Sequence, residues 1–405
     1  MKSIFTAILL FALSAVYAQR CATVSYNETL NSNLAAYPFS KGTITHARDT
    51  LPNEVIVVPV VIHVLYNNAS ENISDQRIMD QLNALNNDYR RRNADTMQTP
   101  EVFKHLAADT RIVFCLAKTD PNGEPTTGII RKYTTADYFL ADDQMKYSSR
   151  GGDDGWDPSK YLNIWVCSLF GRTLGYATMP GGPAAIDGIV IKNSVFGYVN
   201  GIGGPFNKGR TLTHESGHWL GLHHIWGDAV CGDDGIDDTP PQKAANHGCS
   251  QFPKLSDCSV DSNGDMFMNY MDFSDDGCMN MFTTGQKNRM RAQFAKGGLR
   301  NSILNSNVCE GGDVQAGPIP KPESPSKIQL YPNPAIHTIT IAASSLNEVN
   351  GKTVRIYNIQ GKLLIKKNLQ AQKTTISLEG YAAGIYLVVY ENMGQREIYK
   401  IVKSN

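Results

Sequence analysis

At 405 residues and 41% hydrophobic content, the chain is long enough for two or three domains with sizeable cores. Lys and Arg together number 38, as do Asp and Glu, so the formal net charge is zero. That balance speaks against a nucleic-acid partner, which a clustered excess of Lys and Arg would mark, and leaves a peptide substrate open.

The first residues read as a signal peptide. Lys2 supplies the positive n-region, Ile4 to Leu13 the apolar h-region and Val16-Tyr17-Ala18 a small-residue cleavage site. The apolar run is shorter than the ~20 residues of a membrane span. No later stretch could span one: Val55 to Leu65 is the most apolar, but it is short and interrupted by Pro59 and His63. Residues 19–52 are polar and weakly patterned, with one Cys and no clear element. Their position suggests a propeptide, the alternative being a disordered N-terminal arm.

Val55 to Leu65 is β-branched and apolar enough for a central strand, with Pro59 expected at an edge or bulge. Ser74 reads as an N-cap, and Ile78, Leu82, Leu85 and Tyr89 recur at helical spacing behind it. Arg111 to Ala117 and Tyr161 to Leu169 read as further strands, and Asp187 to Lys192 as a short one at an edge. The region from about 53 to 205 therefore alternates β and α, as a layered α/β arrangement would. From 225 to 285, Gly, Asp, Asn and Cys dominate and no helical period persists; Thr283 to Leu299 regains one. Residues 311–326, with Gly-Pro-Ile-Pro-Lys-Pro-Glu-Ser-Pro-Ser at their centre, form a linker. Beyond it, Thr338 to Ile341, Thr353 to Tyr357, Lys362 to Ile365, Thr375 to Leu378 and Ile385 to Tyr390 are short strands between turn residues, the spacing of a small sandwich.

Export permits disulfides. None of the 8 Cys forms a C-x-x-C pair, which speaks against a structural zinc ribbon, and four fall between 231 and 278 in a loop-rich stretch suited to two bridges. Four of the 9 His lie in Thr213-His-Glu-Ser-Gly-His-Trp-Leu-Gly-Leu-His-His224. His214 and His218, at i and i+4, project from one helical face and can take two corners of a zinc tetrahedron. Glu215 between them can take a proton from an activated water and pass it to a leaving amine. Gly221 can end the helix at φ > 0 and let the chain bring His224 back as third ligand. A surface helix with two unrelated histidines accounts for H-E-x-x-H alone; the extended spacing through Gly221 to His224 is rarely accidental, and it favours His224 over the adjacent His223.

The motif from His214 to His224 resembles the metzincin clan. Asn269-Tyr-Met-Asp-Phe273, followed by Ser-Asp-Asp-Gly-Cys-Met-Asn-Met-Phe282, resembles the Met-turn region of the pappalysins, also called cytophagalysins. The likeness extends to Tyr161-Leu-Asn-Ile-Trp-Val-Cys167 and Leu174-Gly-Tyr-Ala177, so it covers most of residues 55 to 309. It implies an α+β metzincin catalytic domain: a twisted sheet and helices above an irregular lower subdomain, with a cleft between. It implies Met271 as the methionine beneath the metal, bridges Cys231–Cys258 and Cys249–Cys278, and a calcium site in the Asp-rich loop Cys231 to Pro240. Asp234 and Thr239 are the candidate calcium ligands, the alternative being a solvated acidic turn. Relatives often carry Tyr where this chain has Phe273, which offers no donor.

Cys21 lies beside Arg20, just inside the expected mature terminus. A propeptide thiolate can occupy the open zinc position, as in some related zymogens; the alternative is a Cys21–Cys309 disulfide, with Cys115 and Cys167 paired between strands or left as thiols. In the tail, Leu330-Tyr-Pro-Asn-Pro-Ala335, Val354 to Leu364, Gly384-Ile-Tyr-Leu-Val388 and Lys400-Ile-Val-Lys403 resemble the sorting domain of the bacterial type IX secretion system. The alternative there is a carbohydrate-binding or adhesive sandwich.

The expected organisation is a signal peptide (1–18), a propeptide (19–52), a catalytic domain (53–310), a linker (311–326) and an Ig-like all-β sorting domain (327–405). The expected function is that of a secreted zinc endopeptidase, with the outer-membrane secretion machinery and protein or peptide substrates as partners. The alternative is a secreted zinc-containing adhesin or binding module with little turnover, for which Phe273 is the only support.

Overall fold

A computed structural model describes residues 20–33, 54–198, 204–309, 328–343, 352–358, 362–392 and 395–404. The expected signal peptide and linker lie outside the described residues. The chain divides into two compact units, 1–314 and 315–405.

The first unit opens with helix α1 (Thr23–Asn33), where the sequence showed no element. Its apolar stripe is only Ala22, Tyr26 and Leu30, too thin to announce a helix by periodicity. Next come β1 (Ile56–Tyr66), α2 (Asp75–Tyr89), the short α3 (Glu101–Lys104), β2 (Ile112–Leu116), β3 (Ile129–Tyr133), β4 (Leu162–Cys167), β5 (Gly175–Ala177) and β6 (Ile189–Lys192). Ser74 caps α2 by accepting from the Arg77 backbone, and Ile78, Leu82, Leu85 and Tyr89 bury its inner face. Helices α4 (Arg210–Trp219) and α5 (Thr284–Ala292) complete the unit.

The sheet runs β2-β1-β4-β6-β5, with β3 also on β1; all pairs are parallel except β5 against β6. Two expectations change. Pro59 stands in the central strand rather than at an edge. Ile56 and Ile62 donate toward the β2/β3 side, so by alternation Pro59 turns its missing donor the other way. On that side, pairing with β4 begins only at Val60, so no ladder bond is lost. β6 is interior rather than an edge strand, because the three-residue β5, too short to read from alternation, covers it. The half-exposed β3 was also unread.

One sheet face packs on α2 and α4 through residues such as Val60, Ile164, Ile189 and Ile191. The other, with Trp165, Cys167, Tyr176 and Val190, is covered by Ala22 and Tyr26. Cys115 bridges to Cys309, and Cys21 and Cys167 are free thiols. This overturns both a Cys21–Cys309 bridge and a Cys115–Cys167 pair: Cys115 lies on β2, beside β1 on the side away from β4, which carries Cys167.

The second unit is all-β: β7 (Ile328–Tyr331), β8 (Thr338–Ala343), β9 (Thr353–Asn358), β10 (Leu363–Asn368), β11 (Lys373–Ser377), β12 (Gly384–Asn392) and β13 (Gln395–Lys403). Sheets β10-β9-β12-β13 and β11-β8-β7 share a core that includes Ile339, Ile341, Val354, Ile356, Val388 and Ile401.

A buried ionic network fixes the start of α4. Arg210 Nη2 donates to Asp95 Oδ1 at 2.8 Å and to Asp88 Oδ1 at 3.3 Å. Asp88 in turn accepts from Thr213 Oγ1 (2.9 Å) and the Tyr270 hydroxyl (2.8 Å), tying α2, α4 and the 270 turn together. Burial pushes the Asp95 carboxyl up, but Arg210, Asn93 and Lys208 overcome it and hold the pKa down to about 2. This pair stabilises the fold above the ordinary carboxylate value of 3.8 and is lost as the pH falls through about 2. Asp95→Asn is therefore expected to lower the melting temperature at pH 7 by about 2–4 °C. Melting curves taken across this window should show the gap to the unsubstituted chain narrowing as the carboxylate protonates; a gap undiminished at about pH 2 contradicts the assignment.

Candidate active site

Helix α4 carries His214, Glu215 and His218, all fully buried. It ends at Gly221, whose φ of +88° suits glycine, and the chain turns back to place His224 beside the other two. The three ring centroids lie 4.6–5.3 Å apart. His223 stays outside the cluster; the convergent side chains are Cys21, His214, His218 and His224, with one ligand-type atom of each within 4.8 Å of the others.

Main-chain and carboxylate acceptors orient the imidazoles. His214 Nδ1 faces the Tyr270 carbonyl at 2.7 Å, and His218 Nδ1 faces the Leu222 carbonyl at 2.8 Å. A carbonyl only accepts, so each Nδ1 carries the proton and each Nε2 presents a lone pair. His224 Nδ1 meets Asp228 Oδ1 at 2.6 Å, which turns its Nε2 into the same space. Burial first, then the neighbouring imidazoles, push His214 and His218 well below the usual histidine range. The two Nε2 atoms stand 3.1 Å apart with no proton to share, and the buried His224 Nε2 has no hydrogen-bond partner among the described residues. Two neutral lone pairs and the unpartnered His224 Nε2 meet in a buried space and are poorly satisfied by one another. They fit a cation of the size and softness that imidazole and thiolate ligands select.

Residues 20–23 close over this cluster. Cys21 pairs with Gly175 of β5, and the Ala22 backbone donates to the Gly175 carbonyl at 3.0 Å. Thr23 Oγ1 donates to Glu215 Oε2 at 2.7 Å, and Cys21 Sγ approaches the same oxygen at 3.4 Å. Glu215 Oε1 is buried without a partner among the described residues. Burial lifts the Glu215 carboxyl to about 7 against the lowering effect of Thr23, Cys21 and Arg20. Arg20 is itself fully buried; it donates to Asp276 Oδ1 at 2.9 Å and to the Ser274 carbonyl. Asp276 Oδ2 meanwhile accepts from the Lys208 and Arg210 backbones at 2.9 and 3.1 Å, so this carboxylate is fixed to the start of α4.

Met271 lies fully buried under α4. A Cβ on Gly217 would meet its Sδ at 2.5 Å, so a larger residue there would have to displace the Met271 side chain. The Ile225 backbone donates to the Met271 carbonyl at 3.2 Å, linking this turn to the stretch that carries His224. Phe273 packs its ring 4.9 Å from His224 and 4.8 Å from Trp226. Cys231 is bridged to Cys258 and Cys249 to Cys278. In the Asp-rich loop, Thr239 Oγ1 donates to Asp234 Oδ1 at 2.7 Å, while Asp234 Oδ2 is buried without a partner among the described residues.

Sequence reasoning missed Thr23, Asp228 and Asp276, and it noted Arg20 only as a neighbour. Asp228 stands four residues beyond His224 and could have been sought as its carboxylate partner. Nothing local links Arg20 to an acid 256 residues away.

The model of the pregnancy-associated plasma protein-A peptidase family matches residues 146–295, and that of the secretion system C-terminal sorting domain matches residues 329–404. An extracellular metalloprotease of Verticillium alfalfae is 32% identical over 295 residues, covering 70% of this chain and 92% of that protein. Mature mirolysin of Tannerella forsythia, solved with a cleaved peptide, is 47% identical with a TM-score of 0.61, covering 62% of this chain and 97% of that one. A promirolysin mutant from the same organism is 41% identical with a TM-score of 0.65, covering 71% and 97%. The chain belongs to the pregnancy-associated plasma protein-A, or pappalysin, family of metzincins, and is a secreted or cell-surface metalloendopeptidase with a C-terminal type IX secretion sorting domain.

Proposed function

We propose that the chain is a zinc endopeptidase made as a zymogen, with His214, His218 and His224 as zinc ligands and Glu215 as general base. The convergence of three imidazole Nε2 atoms in a buried space, two of them on rings whose Nδ1 donates to a carbonyl, carries this reading. Zinc held there would polarise the scissile carbonyl and acidify the attacking water. Glu215, one helical residue from His214, takes a proton from the attacking water and returns it to the leaving amine. Met271 supports the floor of the site by packing. Phe273 adds an apolar wall and no donor, so the oxyanion has one fewer hydrogen bond than in relatives with Tyr at this place.

In the latent chain, Cys21 takes the corner that water needs and Thr23 holds Glu215. The likeness to a promirolysin supports the propeptide reading of residues 19–52. The proposed boundaries beyond it are 53–310 for the catalytic domain, 311–326 for the linker and 327–405 for the domain that hands the protein to the outer-membrane secretion machinery. The buried Arg20–Asp276 pair also supports a substrate preference. A basic side chain beside the scissile bond would replace Arg20 against a carboxylate already fixed to α4. For calcium, the orphaned Asp234 Oδ2 supports Asp234 and Thr239 as ligands; Arg289 already donates to the Asp234 and Gly235 carbonyls, so the ion would draw on other oxygens of the loop.

Four outcomes are expected. Glu215→Ala should keep zinc, measured by metal analysis, and lose cleavage by more than about 10²-fold; retained chelator-sensitive cleavage contradicts the base assignment. Cys21→Ala should self-activate faster in a time course of full-length chain, and unchanged latency would sink the switch. Sequencing the products of a peptide-library digest should show Arg or Lys enriched beside the cut, against no enrichment if Asp276 plays no part. Calcium should raise the melting temperature of the intact chain and fail to do so in Asp234→Asn; no shift in the unsubstituted chain removes the calcium site.

A further inference from the structure

Helix α1 carries two further buried side chains besides Thr23: Asn27, which donates to the Ala177 carbonyl at 2.9 Å and accepts from the Met179 backbone at 3.1 Å, and Tyr26. Tyr26 lies on the sheet face opposite α4 and enters a pocket walled by Asp143, Lys146, Tyr176 and Thr178, all buried. Its hydroxyl donates to Asp143 Oδ2 at 2.8 Å and accepts from Lys146 Nζ at 3.3 Å. Its ring packs 4.5 Å from that of Tyr176, with Lys146 Nζ 5.2 Å from its centroid.

The walls hold one another without help from α1. Lys146 pairs with Asp143 at 2.8 Å and donates to the Ile186 carbonyl at 2.7 Å, and the Tyr176 hydroxyl donates to Asp143 Oδ1 at 3.2 Å. The Thr178 hydroxyl donates to the same Ile186 carbonyl at 2.8 Å. A preformed slot therefore ends in a carboxylate and an ammonium that both face one oxygen. A phenol satisfies both: it donates to the first, accepts from the second and fills the ring slot. A phenylalanine would fill the slot and satisfy neither, and an aliphatic alcohol would leave it half empty.

We propose that the catalytic unit carries a second binding pocket, selective for a phenolic side chain and formed by Asp143, Lys146, Tyr176 and Thr178, which holds the pro-segment through Tyr26 independently of the metal centre. This rests on the reading of residues 19–52 as a pro-segment. A cut behind α1 then does not free the site at once, because the excised segment stays seated until Tyr26 leaves.

Two arms on the full-length chain test it. In the first, a cleavage site for an added protease is placed after Asn33, and release of the cut segment is timed by gel filtration. Tyr26→Phe should speed release about ten- to hundredfold, the effect of removing hydrogen bonds to charged groups. Release at the unsubstituted rate overturns the proposal. In the second, Tyr26→Ala is titrated with 4-methylphenol and with toluene, following the melting temperature. The phenol should bind at least about tenfold more tightly; equal binding of toluene, or no binding of either, overturns the pocket's selectivity. Should Cys21→Ala fail to activate early while 4-methylphenol still binds, the zymogen reading falls and the pocket stands. Early activation of Cys21→Ala with no phenol binding gives the reverse.

Discussion

Three imidazole Nε2 atoms face one another in a buried space, and much of the catalytic unit serves to keep them there. Imidazoles do not gather in this way for their own stability. Two carbonyls and one carboxylate hold their far sides, so the rings cannot turn to find other donors. The carbonyl that holds His214 belongs to Tyr270, whose hydroxyl is held by Asp88, and Asp88 also holds Thr213 of the same helix. The placement of the histidines and the packing of α2 against α4 are thus one constraint. Disturbing the ionic network would loosen the ligands without touching them.

In the proposed latent state, few residues are enough to close the site. One thiol joins the three imidazoles, and the buried Glu215 is held by one hydroxyl. Residues 20–23 engage the Gly175 backbone on β5, the Glu215 carboxyl and the Asp276 carboxylate. The Tyr26 pocket lies on the other face of the sheet and uses none of them.

What the sequence made legible follows a physical divide. His214, Glu215, His218 and His224 are fixed by helix period and one turn, which are local, so spacing reveals them. α2 was readable because its buried face repeats at helical spacing behind a Ser74 cap. β5 was not, because three residues give no alternation, and the position of β6 was misread as a result. Pro59 was expected at an edge because proline lacks a donor; its place in a central strand depends on where the neighbouring strand begins, which no local pattern encodes. The partners of the site were the least legible. Main-chain carbonyls of Tyr270 and Leu222 have no residue signature, and Arg20 finds Asp276 only once the whole unit has folded. Helix α1 is held by specific side chains rather than by a broad apolar stripe, so periodicity passed over it.

In the proposed latent state, a three-histidine zinc site is capped by Cys21 in the intact chain. Zinc X-ray absorption on the full-length, zinc-loaded protein before any cleavage tests this most directly. The expected ligand set is three nitrogens at about 2.0–2.1 Å and one sulfur at about 2.3 Å. A set of nitrogen and oxygen alone, with no sulfur scatterer, would contradict it.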